Sequence, residues 1–486
     1  MNHLIQREKK KGNRVYATFI DLKKAFDTVD RKKLWIIMEQ VGISKYLIER
    51  IKELYEETKG RVRLGNVFTE EFWTIKGVRQ GCVLSPILFC IYIATIEKEF
   101  ENRNIGGIGI GKIRLWSLAY ADDLVLLALN REAMMDMLDT TRRYFKNRSL
   151  ILSCDKTKVL VFNKGKQGKK ETWLWEKEKI EEVSKFNYLG FHFNNLGNYK
   201  DHISELKRKA VMAAKITWGL GERRCRNDFT RRMMLFQYLV RSVMSYAVEI
   251  WGWEEQKELE KIQTDYIRWV LRLDFNTPKY IIYWETGTKK LQRDWGKRLY
   301  RFERKCYKLG NESLVKMAWE EQNNVNDTIN VGRKKFWNNL GWSNRYVIGT
   351  LFEGKNIEKE ITQRHIDIHN QELESKIEES RYNSKYKNIM KRGKPGYLKA
   401  WKKGIDISII AKIRCGNYDL TNKFWRKEEE MTCRICGTSK ETLEHLGNKC
   451  TVLDRYRSRD YTEEELTREH GSVEISKLFK EIGRVI

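Results

Sequence analysis

Apolar and polar positions alternate along residues 14–21, with Val15, Ala17 and Phe19 on one side. This period of two predicts a strand that ends in Asp21. The period then lengthens to that of a helix. Leu34, Ile37, Met38 and Val41 predict a helix over 31–41, Gly42 ends it, and Ser44 is placed to cap the next, which carries Leu47, Ile48, Ile51, Leu54 and Tyr55. Residues 61–76 predict a hairpin turning at Gly65-Asn66, residues 77–81 a loop, and residues 83–100 a mostly apolar helix. Strands are expected over 113–120 and 124–129, joined by a tight turn at Ala121-Asp122-Asp123. A helix over 131–147 turns Met134, Met137, Leu138, Thr141 and Phe145 inward, and short strands follow at 158–162 and 186–193, with a basic run at 164–170 between them. After about residue 200 the pattern is helical. Ile203, Leu206, Ala210, Ala213, Ile216 and Leu220 form one stripe, and further helices are expected at 229–250 and 256–273, with Trp251 and Trp253 between them. Residues 274–430 are mostly polar and read as helical, and no internal repeat is visible.

Strands and helices mixed up to about residue 200 and helices after it make the fold class α+β. The chain has 486 residues, enough for about three or four structural units. A hydrophobic fraction of 41% supports a core, and only 3 Pro with 33% charged residues exclude collagen-like, Pro-rich and disordered classes. The longest apolar run, at 86–96, is about half the ~20 residues a bilayer needs, so no membrane partner is expected. The first twenty residues contain no apolar signal core. A reducing compartment follows, in which the 9 Cys are thiols or metal ligands. Charge changes the picture most: 94 basic against 66 acidic residues leave +28. An excess of that size points to a polyanion, nucleic acid before an anionic membrane surface, with a merely solubilising surface as the bland reading.

Two groups of residues carry chemistry. If the first strand packs beside the 113–129 hairpin, Asp21, Asp122 and Asp123 converge at one sheet edge. Such a cluster repels itself unless hard cations neutralise it, and a pair of Mg²⁺ ions suits phosphoryl transfer. Taken singly, Asp21 reads as well as a strand-end cap and the Asp pair as a solvated turn. The second group is Cys433, Cys436, His445 and Cys450, spaced C-x2-C-x8-H-x4-C, which predicts one structural, tetrahedral Zn²⁺. Cys82, Cys90, Cys154, Cys225 and Cys306 lack such spacing and are expected to be core or loop thiols.

Five segments follow one another in order: FIDLKKAFDTVD at 19–30, GVRQGCVLSP at 77–86, YADD at 120–123, SCDKTKVLVF at 153–162 and FNYLG at 186–190. Their order resembles that of the reverse transcriptase of non-LTR (LINE-like, insect jockey-type) retrotransposons over roughly residues 14–300. The resemblance implies a right-hand polymerase palm at 1–195, a helical thumb at 196–300, a helical linker region at 301–404 and a zinc-binding module at 405–486. It implies an RNA-directed DNA polymerase that adds dNTPs to a DNA primer on an RNA template using two Mg²⁺. Asp21 and Asp122 would ligate the metals, and Asp123 would be a third acid closer to solvent. Phe26 occupies the steric-gate position, with an ordinary core Phe as the alternative. Gln80 and Gly81 would lie near nucleotide and template, and Tyr188, Leu189 and Gly190 in the primer grip. Lys156 would protonate pyrophosphate or offset its charge. Lys207, Arg208, Lys209, Arg223, Arg224 and Arg226 would contact template–primer phosphates. Arg434, Lys440, Lys449, Trp425 and Arg426 suit single-stranded nucleic acid. Nuclear location, or a cytoplasmic ribonucleoprotein, is implied as well. Phe26 and Ala121 argue against an RNA-templated RNA polymerase. The twenty residues before Asp21 are fewer than the family's fingers region, so an N-terminally truncated copy is expected. The alternative function is a catalytically inactive nucleic-acid-binding remnant.

Overall fold

The six residues Val15–Ile20 are buried without exception, so the first strand, β1, is covered on both faces. The sequence pattern marks only one of those faces; Tyr16, Thr18 and Ile20 fill the other. In the computed structural model, residues 1–164, 170–325, 327–380, 385–399, 406–420, 423, 427–457 and 460–467 are described. They form two compact units, Met1–His202 with Lys308–Asn330, and Ile203–Tyr307 with Val331–Ile486.

Unit 1 is built on a six-stranded mixed sheet. After the helix α1 (Asn2–Lys10) and β1 come the helices α2 (Arg31–Gln40), α3 (Lys45–Glu56) and α4 (Ser85–Ile93). They are followed by β2 (Ser117–Tyr120), β3 (Asp123–Ala128), α5 (Arg131–Asn147), β4 (Lys158–Phe162), β5 (Trp173–Trp175) and β6 (Glu178–Glu182). The sheet order is β5-β6-β4-β1-β3-β2. β1 runs antiparallel to both neighbours, while β4 and β6 are parallel. The Asp30, Ser44 and Asn130 side chains cap α2, α3 and α5, each accepting a backbone N–H three residues on.

One face of the sheet packs on the helices. Tyr16, Ile20, Leu34, Met38, Phe89, Tyr92, Leu124, Met134 and Phe145 belong to one buried cluster, and the Thr18 hydroxyl contacts Met134 Sδ at 3.1 Å. The other face is covered by a hairpin, β7 (Lys185–Tyr188) and β8 (Phe191–Asn194). Phe186 stacks on Phe19 with ring centres 4.2 Å apart, and Phe193 meets Phe162 edge-on at 6.2 Å.

Several expectations are corrected. The segment 186–193 is this hairpin rather than one strand, because Leu189 and Gly190 both take positive φ, +49° and +78°. The strand expected over 113–120 breaks at Trp116, whose indole N–H donates to the Ile105 carbonyl at 2.9 Å. Its first part, Ile113–Leu115, pairs with Ile108–Ile110 instead of joining the sheet. The apolar helix at 83–100 divides into α4 and a second helix, Ile96–Asn102. The hairpin at Gly65-Asn66 is present, with Arg63–Leu64 paired to Val67–Phe68. Residues 308–330, assigned from sequence to a helical linker, pack in unit 1. There Glu321 accepts from Arg7 Nη1 at 2.7 Å and the Gly111 N–H at 2.7 Å, and lies 3.0 Å from His3 Nε2.

Unit 2 is helical. The helix expected over 229–250 is interrupted: Phe229–Leu235 is α-helical, Phe236–Arg241 is a π-helical turn, and Ala247 takes φ +52° before a last turn, Val248–Trp251. Trp251, Trp295 and Trp337 are fully buried, and so are the ion pair Arg333–Glu303 and the guanidinium of Arg232. Among the described residues, no helix is long and apolar enough to cross a membrane.

Candidate active site and Cys/His metal centre

β1 and β3 are in register from Tyr16↔Ala128 to Ile20↔Leu124, so the next step sets Asp21 across from Asp123. β2 and β3 pair Tyr120 with Asp123, leaving Ala121-Asp122 as a two-residue turn. Ala121 sits at φ +53°, a left-handed conformation that costs an L-residue about 1–2 kcal/mol. Strain of this kind persists where surrounding structure holds it, and such places are often functional. Continued one step past the pairing, that register brings Asp123 opposite Asp21, and Asp123, expected as a third acid closer to solvent, is exposed. Its carboxyl is pushed above the ordinary carboxylate value by burial, then by the negative charges of Asp122 and Asp21. The three acids thus feel one another.

The backbone of Asp21 is held from the 153–157 turn. Its N–H donates to Thr157 Oγ1 at 3.2 Å, and its carbonyl accepts the Ser153 N–H at 2.9 Å. The same turn brings Lys156 Nζ to 3.9 Å from Asp21 Oδ2. The tip of the β7–β8 hairpin approaches from the other side. Burial, and then the charge of Asp123, push the Tyr188 phenol up to about 12. Asp21, Asp122, Asp123, Lys156 and Tyr188, far apart in the chain, therefore share one neighbourhood, with Leu189 and Gly190 forming the adjoining turn.

Five residues past Asp21, the half-buried Phe26 packs edge-on against Phe89 at 5.5 Å. It lies in the short helix Ala25–Thr28, entered through Lys24 at φ +49°. The 77–81 loop is pinned to this helix. The Val78 N–H donates to the Phe26 carbonyl at 2.8 Å, and Gln80 Nε2 donates to Asp27 Oδ1 at 3.1 Å. A Cβ on Gly77 would come within 3.0 Å of Asp27 Cα and of the Phe26 carbonyl, so only glycine fits. Gly81 differs: open space surrounds it, and its φ of +81° is what selects glycine. Sequence reasoning missed Arg31. Its guanidinium donates to the carbonyls of Gly77 at 2.8 Å, Thr74 at 2.8 Å and Tyr55 at 3.2 Å, tying the 55–77 segment to the start of α2. No local pattern marks it, since its acceptors are backbone atoms distant in sequence.

The second site lies in unit 2. The ligand atoms of Cys433, Cys436, His445 and Cys450 all lie within 4.8 Å of one another, the one such group among the described residues. A turn closed by Gly437 N–H to the Cys433 carbonyl at 2.8 Å, with Gly437 at φ +68°, brings the first two thiols together. The Cys450 N–H donates to the His445 carbonyl at 2.8 Å and joins the other two. Burial opposes ionisation of the Cys436 thiol, but hydrogen bonds from Thr438, Cys433 and His445 outweigh it and bring it down to about 6. Three thiols and an imidazole form a soft donor set that suits zinc. Arg434, Lys440 and Lys449, expected to face nucleic acid, are each paired with a carboxylate: Glu441, Glu428 and Glu444. Trp425 and Arg426 lie outside the described residues. Of the basic residues assigned to the thumb, Lys207 pairs with Glu258 at 2.8 Å, Arg208 and Lys209 with Glu205, and Arg226 with Glu222 at 3.1 Å.

Comparison with known proteins converges on the same part of the chain. Residues 2–193 match the family "Reverse transcriptase (RNA-dependent DNA polymerase)". The Pol polyprotein of the type-1 retrotransposable element R2 of Popillia japonica is 26% identical over 215 residues, covering 43% of this chain and 36% of that protein. That of the R2DM element of Drosophila melanogaster is 27% identical over 199 residues, 39% of this chain and 18% of that one. The RNA-directed DNA polymerase of the mobile element jockey of Drosophila funebris is 22% identical over 255 residues, 51% and 27% of the two chains. The chain thus spans about a third or less of the length of these relatives. Among solved structures, the apo telomerase of Candida tropicalis aligns with 76% of this chain and 55% of its own at 13% identity, with a TM-score of 0.35, a likeness too weak to assign a function. The family match and these relatives together make residues 2–193 similar to the reverse transcriptase domain of non-LTR retrotransposon proteins.

Proposed function

We propose that the chain is an RNA-directed DNA polymerase that extends a DNA primer with dNTPs on an RNA template. In this reading the six-stranded sheet with its helices is the palm, residues 196–300 the thumb, 301–404 a linker region whose segment 308–330 packs in the palm unit, and 405–486 a zinc module. The observation that carries it is the register that sets Asp21 opposite Asp123, with Asp122 in the strained turn beside them. Three acids whose charges act on one another, with the Lys156 ammonium 3.9 Å from Asp21, supply hard oxygen donors of the kind divalent cations take. Asp21, Asp122 and Asp123 would hold two Mg²⁺, which when bound activate the attacking hydroxyl and stabilise the leaving oxygen. Phe26, half-buried on Phe89, presents a flat ring beneath the sugar and leaves no room for a 2′-hydroxyl. Gln80, oriented by Asp27, and Gly81 border the nucleotide. Lys156 stands beside Asp21 and offsets charge on the triphosphate. Tyr188, Leu189 and Gly190 back the primer end from the hairpin tip. Cys433, Cys436, His445 and Cys450 hold one structural Zn²⁺. The protein acts in the nucleus, where its DNA primer is.

The test is primer extension on an RNA template with Mg²⁺. Incorporation of dNTPs is expected, and Asp21→Asn and Asp122→Asn should each lower it about a thousandfold, the scale of removing a preorganised charge-stabilising group. Equal extension by these variants defeats the reading. Template binding with no extension by the unaltered chain would instead favour a catalytically inactive binder. Equal use of rNTPs would remove the role given to Phe26.

A further inference from the structure

A cavity of about 420 Å³ lies within unit 2, between the end of the helix Lys279–Thr286 and the loop 391–399. That volume is in the range of small-molecule sites, about 300–1,000 Å³. Its wall holds Lys391, Arg392, Lys394, Lys399 and Arg414 against a single carboxylate, Glu285.

That carboxylate is fully engaged. Arg414 Nε and Nη2 donate to its two oxygens at 2.5 and 3.1 Å, and the Tyr386 and Tyr397 hydroxyls donate at 2.7 and 2.6 Å. Arg414 spends its remaining Nη1 on the Thr467 carbonyl at 3.1 Å. Four donors on two oxygens make this part of the wall rigid and electrically neutral. Arg392 is likewise taken, by a forked contact with Glu374 at 2.8 and 3.1 Å. Lys391, Lys394 and Lys399 remain. Among the described residues, none of the three has a carboxylate within salt-bridge distance. Lys394 Nζ donates to the neutral hydroxyl of Thr230 at 3.0 Å and lies over the Phe229 ring at 5.8 Å, with the Asp228 carboxylate acting on it from beyond salt-bridge distance.

The exposed Lys391 and Lys399 and the half-buried Lys394 border this concave space without a direct carboxylate partner, a basic rim suited to a compact anion of more than one charge. A carboxylate or an internal phosphodiester brings one negative charge. A terminal phosphate carries about −1.5 to −2 at neutral pH, with three acceptor oxygens that match three ammonium donors. Lysine binds phosphate as a point charge and needs no planar fork. We propose that this cavity binds a phosphate monoester, the group presented by the 5′ end of a nucleic-acid strand or by a free nucleotide. The proposal is independent of the polymerase reading, since it uses none of the residues of the acidic site.

The test uses the full chain at fixed salt. A 3′-labelled single-stranded oligonucleotide is compared with and without a 5′-phosphate, in excess unlabelled 5′-hydroxyl strand to absorb non-specific binding. The phosphorylated strand is expected to bind about tenfold tighter. K391Q/K399Q should bring that ratio to about one, and so should K394Q, which keeps a donor for Thr230. K45Q/K355Q, which removes two exposed charges elsewhere, should leave the ratio unchanged. Thermal unfolding and zinc content of the variants report that they are folded. Competition by AMP as strong as that by the phosphorylated strand assigns the site to a free nucleotide; competition by the strand alone assigns it to a strand end. A ratio of one in the unaltered chain with no displacement by AMP or inorganic pyrophosphate overturns the proposal. So does a ratio that survives in K391Q/K399Q.

Discussion

Asp123 is the residue on which the acidic site weighs most. Its proton is held more tightly in the folded chain than in the unfolded one, because burial and then the charges of Asp122 and Asp21 disfavour its anion. The stabilisation that comes with that proton is complete below the ordinary carboxylate range and is lost as pH rises through the raised value. At neutral pH the charged side chain therefore works against folding. Asp123→Asn should raise stability at pH 7 in EDTA by about 0.5 kcal/mol, a small figure because the side chain is exposed and screened. The gain should fade as pH drops toward the ordinary carboxylate range. Added Mg²⁺ should raise the melting temperature of the unaltered chain and do little for the variant. Calorimetry checks both, and a variant less stable than the parent at pH 7 in EDTA would contradict the mutual repulsion. At this scale the sequence is informative where a residue type is unusual for its place, as with acids at a strand end and in a turn. It is silent on Arg31 and on the approach of Tyr188 to Asp123, because these depend on tertiary contacts that leave no local period.

Elements are legible when their turn chemistry and their period agree. Gly65-Asn66 marks a hairpin, and Ser44 and Asp30 mark helix starts, because each supplies the conformation or acceptor the backbone requires. The β7–β8 hairpin is hidden in the sequence because Leu189 occupies the first turn position at φ +49°, where Asn or Asp would have signalled a turn. β5 and β6 are hidden because a three-residue strand and the polar EKIEE segment show too little alternation. The Cys/His element is legible from spacing alone, since a two-residue gap places two thiols on one turn. Its small core includes two of the ligands, Cys433 and Cys450, packed with Ile413, Leu443, Leu446 and Leu466. A core of that size would lean on the proposed zinc, since zinc binding in such modules is folding free energy. One zinc per chain is expected by atomic emission, and Cys436→Ser should lose it. Chelation should expose residues 430–457 to trypsin while the fragment carrying the six-stranded sheet stays intact. Stoichiometric zinc in Cys436→Ser, or resistance to trypsin after chelation, would show that the four side chains gather without a metal.

The two units differ in kind, and that difference limits what a pattern of polar positions reveals. Unit 1 has a core of aliphatic and aromatic side chains, so its helices and strands announce themselves. Unit 2 buries Arg232, Arg333, Glu303 and Glu285, with Arg414 nearly so. Residues that a periodicity argument assigns to solvent are there paired inside, which is why 274–430 reads only as polar and helical. Most of the +28 excess is nevertheless at the surface. Exposed Lys and Arg gain affinity for a strand by releasing condensed counterions, so log affinity should fall linearly with log salt, by about 0.7 per neutralised phosphate for a single strand. Neutralising six to ten phosphates of a single strand would cost about 3 × 10²–2 × 10⁴ in affinity between 50 and 200 mM salt. Lys207, Arg208 and Lys209 offer a sharper test, because each already faces Glu258 or Glu205. If these pairs open to meet phosphates, K207Q/R208Q/K209Q should reduce the slope by about 2, at 0.7 for each phosphate left without its cation. It should also leave Glu205 and Glu258 to repel the strand. If the pairs stay closed, the slope is unchanged and these residues only shape the helix surface. Filter binding of a single-stranded RNA across a salt series separates the two outcomes, and a flat dependence for the unaltered chain would reduce the positive charge to a device for solubility.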